Sequence, residues 1–153
     1  MPDRPASPFL AGLAGALAMT VAHESIRRVL PEAPRLDSLG RRALARGIRA
    51  AGQAPPGGDA LQAVALAGDV AFNAGVFGAA VALGPPATAP ARGALAGLAA
   101  GLATLALPPH LGIGPGPRAL PPATRALTIG LYAGGGWVAG VAYRRLARGR
   151  APS

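Results

Sequence analysis

Four long apolar stretches, separated by polar or proline-rich connections, dominate the order of hydrophobic and polar residues along this chain. At a rise of about 1.5 Å per residue, helices of such lengths reach across the ~30 Å hydrocarbon core of a bilayer. The pattern predicts an all-α fold, a four-transmembrane-helix bundle that occupies residues 1–153 as a single integral membrane domain. The predicted spans are residues 9–30, 61–84, 91–107 and 123–146. The third is barely long enough, and a re-entrant hairpin is the alternative there.

The first span carries its polar residues at one end. No charged residue occurs from Phe9 to Ala22, and four ionisable side chains then follow, at His23, Glu24, Arg27 and Arg28. The uncharged part covers only about 21 Å, so a full span places His23 and Glu24 inside the membrane. The alternative is a secretory signal cleaved near residues 20–22, which would leave three spans.

The connection at residues 31–59 is too polar to insert, but it contains a helical pattern at about residues 37–51. Leucine, isoleucine and alanine fill one half of the helical wheel. Four arginines occupy the other half, namely Arg41, Arg42, Arg46 and Arg49. This pattern predicts an amphipathic interfacial helix between spans one and two, with its guanidinium groups in contact with lipid headgroups. An ordinary solvated helix that rests on the protein itself is the alternative.

Composition supports the membrane interpretation. Hydrophobic residues make up 51% of the chain and aromatic residues only 4%, while the net charge is +9. A strongly basic chain is often a nucleic-acid binder, but here the arginines fall between apolar stretches rather than on one soluble face. We therefore expect the lipid bilayer as a partner and no nucleic acid. The chain has no cysteine, which excludes disulfides and thiolate metal sites.

Polar side chains of all four spans are predicted to lie at one depth, on the side of the 31–59 connection. A charged group at the bilayer centre costs several kcal/mol, so these side chains should face each other. The predicted cluster comprises His23, Glu24, Arg27, Arg28, Asp69, Asn73, Thr104 and Thr128. Glu24 is expected to pair with Arg27 or Arg28, and Asp69 to be protonated or reached by His23 or an arginine. The cluster is either an internal network that fixes helix order or a water-accessible vestibule for a proton, ion or small ligand.

Glycines predict close helix packing. Gly93, Gly97 and Gly101 recur every four residues in span three, and Gly130 and Gly134 share that spacing in span four. Such spacing lets a neighbouring backbone approach closely, which is how helices associate in lipid. These faces are expected to dock onto a partner helix or onto copies of the same chain.

No catalytic constellation or metal site is evident, and no cofactor is expected. The sequence favours a non-enzymatic small polytopic membrane protein, an accessory or structural subunit that packs through Gly-rich helix faces in a larger membrane complex or homo-oligomer. One alternative is a small proton-linked or ion-coupled transporter using Glu24 and Asp69. A second is a cofactor-binding membrane protein using His23.

The distribution of arginines bears on orientation in the membrane. Nine arginines lie near the side of the 31–59 connection and six near the other side, which favours termini outside the cell, but the basic C-terminus argues the reverse.

The order of these parts resembles the YagU-like family of uncharacterised inner-membrane proteins. The matching features are Glu24 in the first span, the long first connection, and the run from Leu107 to Ile113 before the last span. The resemblance implies a location in the bacterial inner membrane. It provides no catalytic residue that could be carried over.

Overall fold

Each apolar stretch forms a helix in the computed structural model, which describes residues 7–30, 33–34, 36–115 and 117–149, with the backbone alone at 36, 37 and 117. The helices are α1 (Pro8–Arg27), α2 (Leu36–Ala50), α3 (Gly58–Ala82), α4 (Ala89–His110) and α5 (Pro122–Arg148). No strand occurs among these described residues, so the all-α prediction is confirmed. Residues 1–6 and 150–153 of the predicted domain lie outside the described residues.

Local sequence signals account for where the helices begin and end. The side chain of Ser7 caps α1 by accepting a 3.3 Å hydrogen bond from the backbone N–H of Leu10. Helix α4 continues beyond the predicted end at residue 107, through Pro108 and Pro109 to His110. Prolines lack the N–H that would bond back along the helix, but they sit in the last turn, where few such bonds are lost. The proline-rich connection after α3 forms a short 3-10 turn, Pro86–Thr88.

Three helical segments are long and apolar enough to cross a membrane, namely Pro8–Arg27, Gly58–Ala82 and Pro86–His110. They indicate a membrane protein. Helix α5 is the longest, at 27 residues, but is not among them. Its stretch from Ala126 to Tyr143 has no charged residue, yet glycine, threonine and tyrosine lower its mean hydropathy.

Small residues line the closest helix contacts, and many large apolar residues face outward, although Phe77 and Val81 are fully buried. Gly12, Gly15 and Ala74 are buried at helix contacts. By contrast, Leu83 is 82% exposed and Phe72 is 69% exposed. A water-soluble protein shows the opposite distribution, whereas lipid solvates large side chains and leaves small residues to bring helices together. The distribution agrees with the apolar helices in indicating a membrane protein.

Helices α1 and α5 form the centre of the bundle. Helix α1 packs against both α3 and α5, and α5 packs against both α1 and α4. Helices α3 and α4 follow each other in the chain but share a smaller interface, and α2 rests mainly on α3. This arrangement leaves a groove between α3 and α4 on the side of α2.

The glycine ridge of α4 faces α5. A Cβ atom at Gly93 would overlap the carbonyl oxygen of Gly136, and one at Gly97 would overlap the carbonyl oxygen of Tyr132. Gly101 lies against the backbone of Ile129. The ridge therefore joins two helices of this chain, and its glycine face is covered within the molecule.

Gly130 and Gly134 differ from the packing role expected for them. A Cβ atom at either position would meet nothing within 4 Å among the described residues. The glycines of α5 that pack are Gly135 against α1, and Gly136 and Gly140 against α4. Neighbouring residues point about 100° apart on a helix, so a run of three glycines offers several faces. The faces of α5 that contact α1 and α4 carry Gly135, Gly136 and Gly140, and Gly130 and Gly134 lie on a different face.

Arg92 ties the start of α4 to the end of α3. Its guanidinium donates to the carbonyl oxygens of Ala80 at 3.2 Å, Val81 at 2.7 Å, Gly84 at 2.8 Å and Pro85 at 3.1 Å, and to the hydroxyl of Thr88. The last carbonyls of a helix have no partner within that helix. Arg92 supplies donors to two of them and to two carbonyls of the following turn.

Candidate functional site: a polar layer between the helices

Polar side chains of four helices gather near the end of the bundle covered by α2, and we call this set the polar layer. Helices α1 and α4 end on this side, and α3 and α5 begin there, so polar residues in the adjoining halves of these helices lie toward the same end of the bundle. The polar layer consists of Thr20, His23, Gln62, Asp69, Asn73, Thr104, Thr128 and Tyr132.

A small cavity lies between α1, α2 and α3. Thr20, His23, Gln62 and Asp69 line it together with Gly40 of α2, and its volume is about 40 Å³. Gln62 and Asp69 of α3 therefore face this cavity. A space of this size holds one or a few water molecules, and its walls offer a carboxylate, a hydroxyl, an amide and an imidazole.

His23 connects this cavity to the segment before α2. Its Nε2 lies 2.6 Å from the carbonyl oxygen of Pro34. A carbonyl oxygen only accepts, so Nε2 carries the proton of this bond, and Nδ1 is an acceptor on the neutral ring. The bond holds the segment before α2 close to the cavity. A cofactor bound through Nε2 would have to break it.

Asn73 is almost completely buried, at 1% exposure. Its amide nitrogen donates to the backbone oxygen of Asp69 at 2.9 Å. Its Oδ1 is buried and accepts no hydrogen bond from the described residues. A buried acceptor without a donor costs about 1–3 kcal/mol, so this oxygen favours a bound water or another donor. The hydroxyl of Tyr132 faces both Asn73 and Thr104, which extends the layer from α3 to α4 and α5.

Two larger spaces adjoin the polar layer. A cavity of about 450 Å³ lies beneath α2 against α4 and α5, and Thr104, Thr124 and Thr128 line it. The groove between α3 and α4 has a volume of about 600 Å³, with Asp69, Thr104 and Tyr132 among mostly apolar lining residues. Asp69 borders both the small cavity and this groove. Thr104 borders both the groove and the 450 Å³ cavity.

Glu24, Arg27 and Arg28 do not join the polar layer, although the sequence placed them in one cluster with Asp69. Glu24 contacts Arg27 at 2.9 Å and Arg28 at 3.5 Å, and its side chain is 43% exposed. Adjacent helical residues point about 100° apart, so an inward His23 turns Glu24 outward. The expected pairing is present, but it forms on the outer face of α1.

The remaining expected members lie inside. Thr128 is buried, and its hydroxyl donates to the carbonyl oxygen of Thr124 at 2.8 Å. Sequence reasoning missed Thr20, Gln62 and Tyr132 as members of the site. Helical spacing could have found two of them, because Thr20 precedes His23 by three residues and Tyr132 follows Thr128 by four.

The arginines of α2 lie at the same end of the molecule. Arg41, Arg42, Arg46 and Arg49 line an open cleft with Leu61 and Ile113. Ala45 is buried between them and lines the same cleft, so this part of α2 rests on the bundle. The helix observed, Leu36–Ala50, closely matches the predicted range of 37–51.

Comparisons with models of protein families, with curated proteins and with solved structures found no match. The resemblance to the YagU-like family stays a prediction. The function of the chain is therefore argued from the geometry of the polar layer and the surfaces around it.

Proposed function

We propose that this chain is a non-enzymatic, four-span membrane protein that binds a proton or a small cation at Asp69 and acts as a small ion-coupled carrier. The observation that carries the proposal is the position of Asp69. Asp69 borders the small cavity that Thr20, His23 and Gln62 also line on one side, and the open groove between α3 and α4 on the other.

Four spans are proposed because α5 lies between α1 and α4. Its 27 residues extend about 40 Å, which exceeds the thickness of the hydrocarbon core. Arginines lie at both its ends, at Arg125 and from Arg144 onward, and none lies between them. In this arrangement α1, α3, α4 and α5 cross the bilayer, and α2 lies at its surface as the interfacial helix.

The chemistry of the small cavity suits a proton or a small cation. A carboxylate within the membrane is costly unless a proton or a positive charge neutralises it. Thr20, Gln62 and the free nitrogen of His23 provide additional lone pairs around the cavity. When a proton and a cation compete for one carboxylate, the binding of each weakens the binding of the other, which couples their movements.

The spaces around Asp69 supply two routes by which an ion could reach its carboxyl group. The groove between α3 and α4 opens sideways along apolar residues, and the 450 Å³ cavity below α2 meets that groove at Thr104. Glu24 has no part in this mechanism, because its carboxylate forms the exposed ion pairs with Arg27 and Arg28.

Transport by the purified full chain in liposomes tests the proposal. An imposed proton gradient should drive accumulation of Na⁺, K⁺ or tetraphenylphosphonium, with proton movement followed by an internal pH dye. Asp69→Asn should reduce this flux more than tenfold. Asp59→Asn, an exposed carboxylate in the first turn of the same helix, should retain it. Absence of flux for all three probes, or full flux in Asp69→Asn, would overturn the proposal.

A second candidate function is that of a homo-oligomer subunit, and a groove between α1 and α5 favours it. Ala18 and Ala22 of α1 line this groove with Gly130 and Gly134 of α5, and Trp137 lies at its edge, 53% exposed. The glycine ridge of α4 is already covered by α5, whereas a Cβ atom at Gly130 or Gly134 would meet nothing within 4 Å in the described part of the chain, so this face has room for another helix. Two copies would meet with the same face, as two-fold dimers do.

Cysteine cross-linking tests this candidate, since the chain contains no cysteine. Copies of Gly134→Cys should form a disulfide dimer in liposomes upon oxidation. Copies of Gly75→Cys, on the outer face of α3, should stay monomeric at the same protein-to-lipid ratio. Equal cross-linking at the two positions would indicate random collision and argue against a subunit interface.

A further inference from the structure

A cleft between α2 and the turn after α4 contains the strongest concentration of positive charge in the described residues, and we call it the arginine cleft. Its volume is about 790 Å³, within the range of pockets that hold small ligands. Its lining includes Ser38, Arg41, Arg42, Arg46, Arg49, Leu61, Gly112 and Ile113.

These charges lack acidic partners within the described part of the chain. The ion pairs formed there by Arg27 and Arg28 use Glu24, whereas none of the four arginines of the cleft contacts a described carboxylate. Four like charges on successive turns of one helix repel each other. An anion in the cleft would relieve this repulsion.

The guanidinium groups are held toward the turn after α4. Arg42 donates to the hydroxyl of Ser38 at 3.4 Å. Arg46 lies so close to Gly112 that a Cβ atom there would come within 3.3 Å of its Nη1. Gly112 also has a positive φ of 62°, so glycine serves both the turn and the space for the guanidinium.

The cleft lies where the helices reach the membrane surface. Leu61 belongs to the first turns of α3, and Gly112 follows the last residue of α4 by two positions. Leu61 and Ile113 add an apolar wall beside the four charges. A ligand that fits both parts has an anionic group at headgroup level and an apolar portion next to it.

We propose that the arginine cleft binds the phosphate of an anionic phospholipid headgroup. The guanidinium groups of Arg42 and Arg46 bind its oxygens in the forked geometry that arginine offers to phosphate. Leu61 and Ile113 contact the adjoining acyl region. This site is separate from Asp69, and it adds a bound lipid to the carrier proposed above without depending on transport.

Lipid binding to the purified full chain tests the site. Native mass spectrometry in detergent would compare phosphatidylglycerol, phosphatidylcholine and inorganic phosphate as probes. Phosphatidylglycerol should bind at least tenfold more tightly than the other two. The double variant Arg42→Gln/Arg46→Gln should lose this preference. The matched control, Arg145→Gln/Arg148→Gln, removes two exposed arginines at the end of α5 and should keep it.

Three outcomes would overturn the proposal. Equal binding of phosphatidylglycerol and phosphatidylcholine would mean that the charge of the headgroup is not recognised. Equal loss in both double variants would mean that net charge alone attracts the lipid. Inorganic phosphate that binds as tightly as the lipid would identify a soluble anion as the ligand. If the glutamine variant unfolds by circular dichroism, Arg42→Lys/Arg46→Lys replaces it, and the loss of forked geometry should weaken binding several-fold.

Discussion

At the scale of single residues, Arg92 has the largest structural role that the sequence did not reveal. In the sequence it is one arginine among many near a predicted membrane boundary. In the fold its guanidinium bonds to four carbonyl oxygens and a hydroxyl at the α3–α4 connection. Hydrogen bonds from a charged donor are stronger than neutral ones.

Replacement of Arg92 should therefore destabilise the protein. We expect Arg92→Gln to lower the free energy of unfolding by about 2–4 kcal/mol, because several carbonyls lose a charged donor. Arg92→Lys should recover part of this loss, since an ammonium group cannot reproduce the forked geometry. Denaturation in mixed micelles measures the change. Arg145→Gln is the control, and an equal effect of Arg92→Gln and Arg145→Gln would contradict the role described for Arg92.

At the scale of the helix, the contacts between elements are made by backbones brought together by glycine and alanine. Helix α5 remains helical across Gly134, Gly135 and Gly136, although each glycine weakens a helix by about 1 kcal/mol relative to alanine. Packing against α1 and α4 on two sides of this segment offsets that cost. A glycine in such a contact differs in role from one that faces outward on the same bundle.

Gly97, at a helix contact, and Gly75, on an outward face, allow the two roles to be compared. Gly97→Ala should destabilise the protein by about 1–3 kcal/mol, because the added methyl group would overlap the backbone of α5. Gly75→Ala should be neutral or stabilise by up to about 1 kcal/mol, since a Cβ there meets open space on the outer face of α3. Unfolding in mixed micelles distinguishes them, and the same sign of change in both variants would count against the packing described here.

Sequence patterns predicted the helices well and the faces of the helices less well. Long apolar stretches identify α1, α3 and α4 as helices that could cross a membrane, and the structure brings His23 and Asp69, both expected in one cluster, to the same small cavity. The sequence did not separate Glu24 from His23, because a linear run of polar residues does not say which of them turns inward. The packing face of α5 depends on where α1 and α4 lie, and this information is not local to the glycine run.

At the scale of the whole molecule, the number of membrane crossings determines which ends share a side. With four spans, Ser7 and Gly149 lie on one side and Gly52 on the other. We expect Ser7→Cys and Gly149→Cys to react with an impermeant maleimide from the same side of sealed vesicles, and Gly52→Cys only from the opposite side. The cysteine-free chain makes each label unique. Labelling of the two ends from opposite sides would instead indicate an odd number of crossings.

The inverted distribution of residue size has a consequence for evolution. Exposed positions such as Phe72 and Leu83 need only a hydrophobic side chain. Substitutions among leucine, valine and phenylalanine there should leave the helix contacts intact. Glycines at helix contacts, such as Gly12 and Gly97, tolerate almost no substitution, because an added Cβ atom would overlap the backbone of a neighbouring helix. Among descendants of a common ancestor, the outward-facing bulky hydrophobic residues should therefore vary freely while the glycines at helix contacts persist.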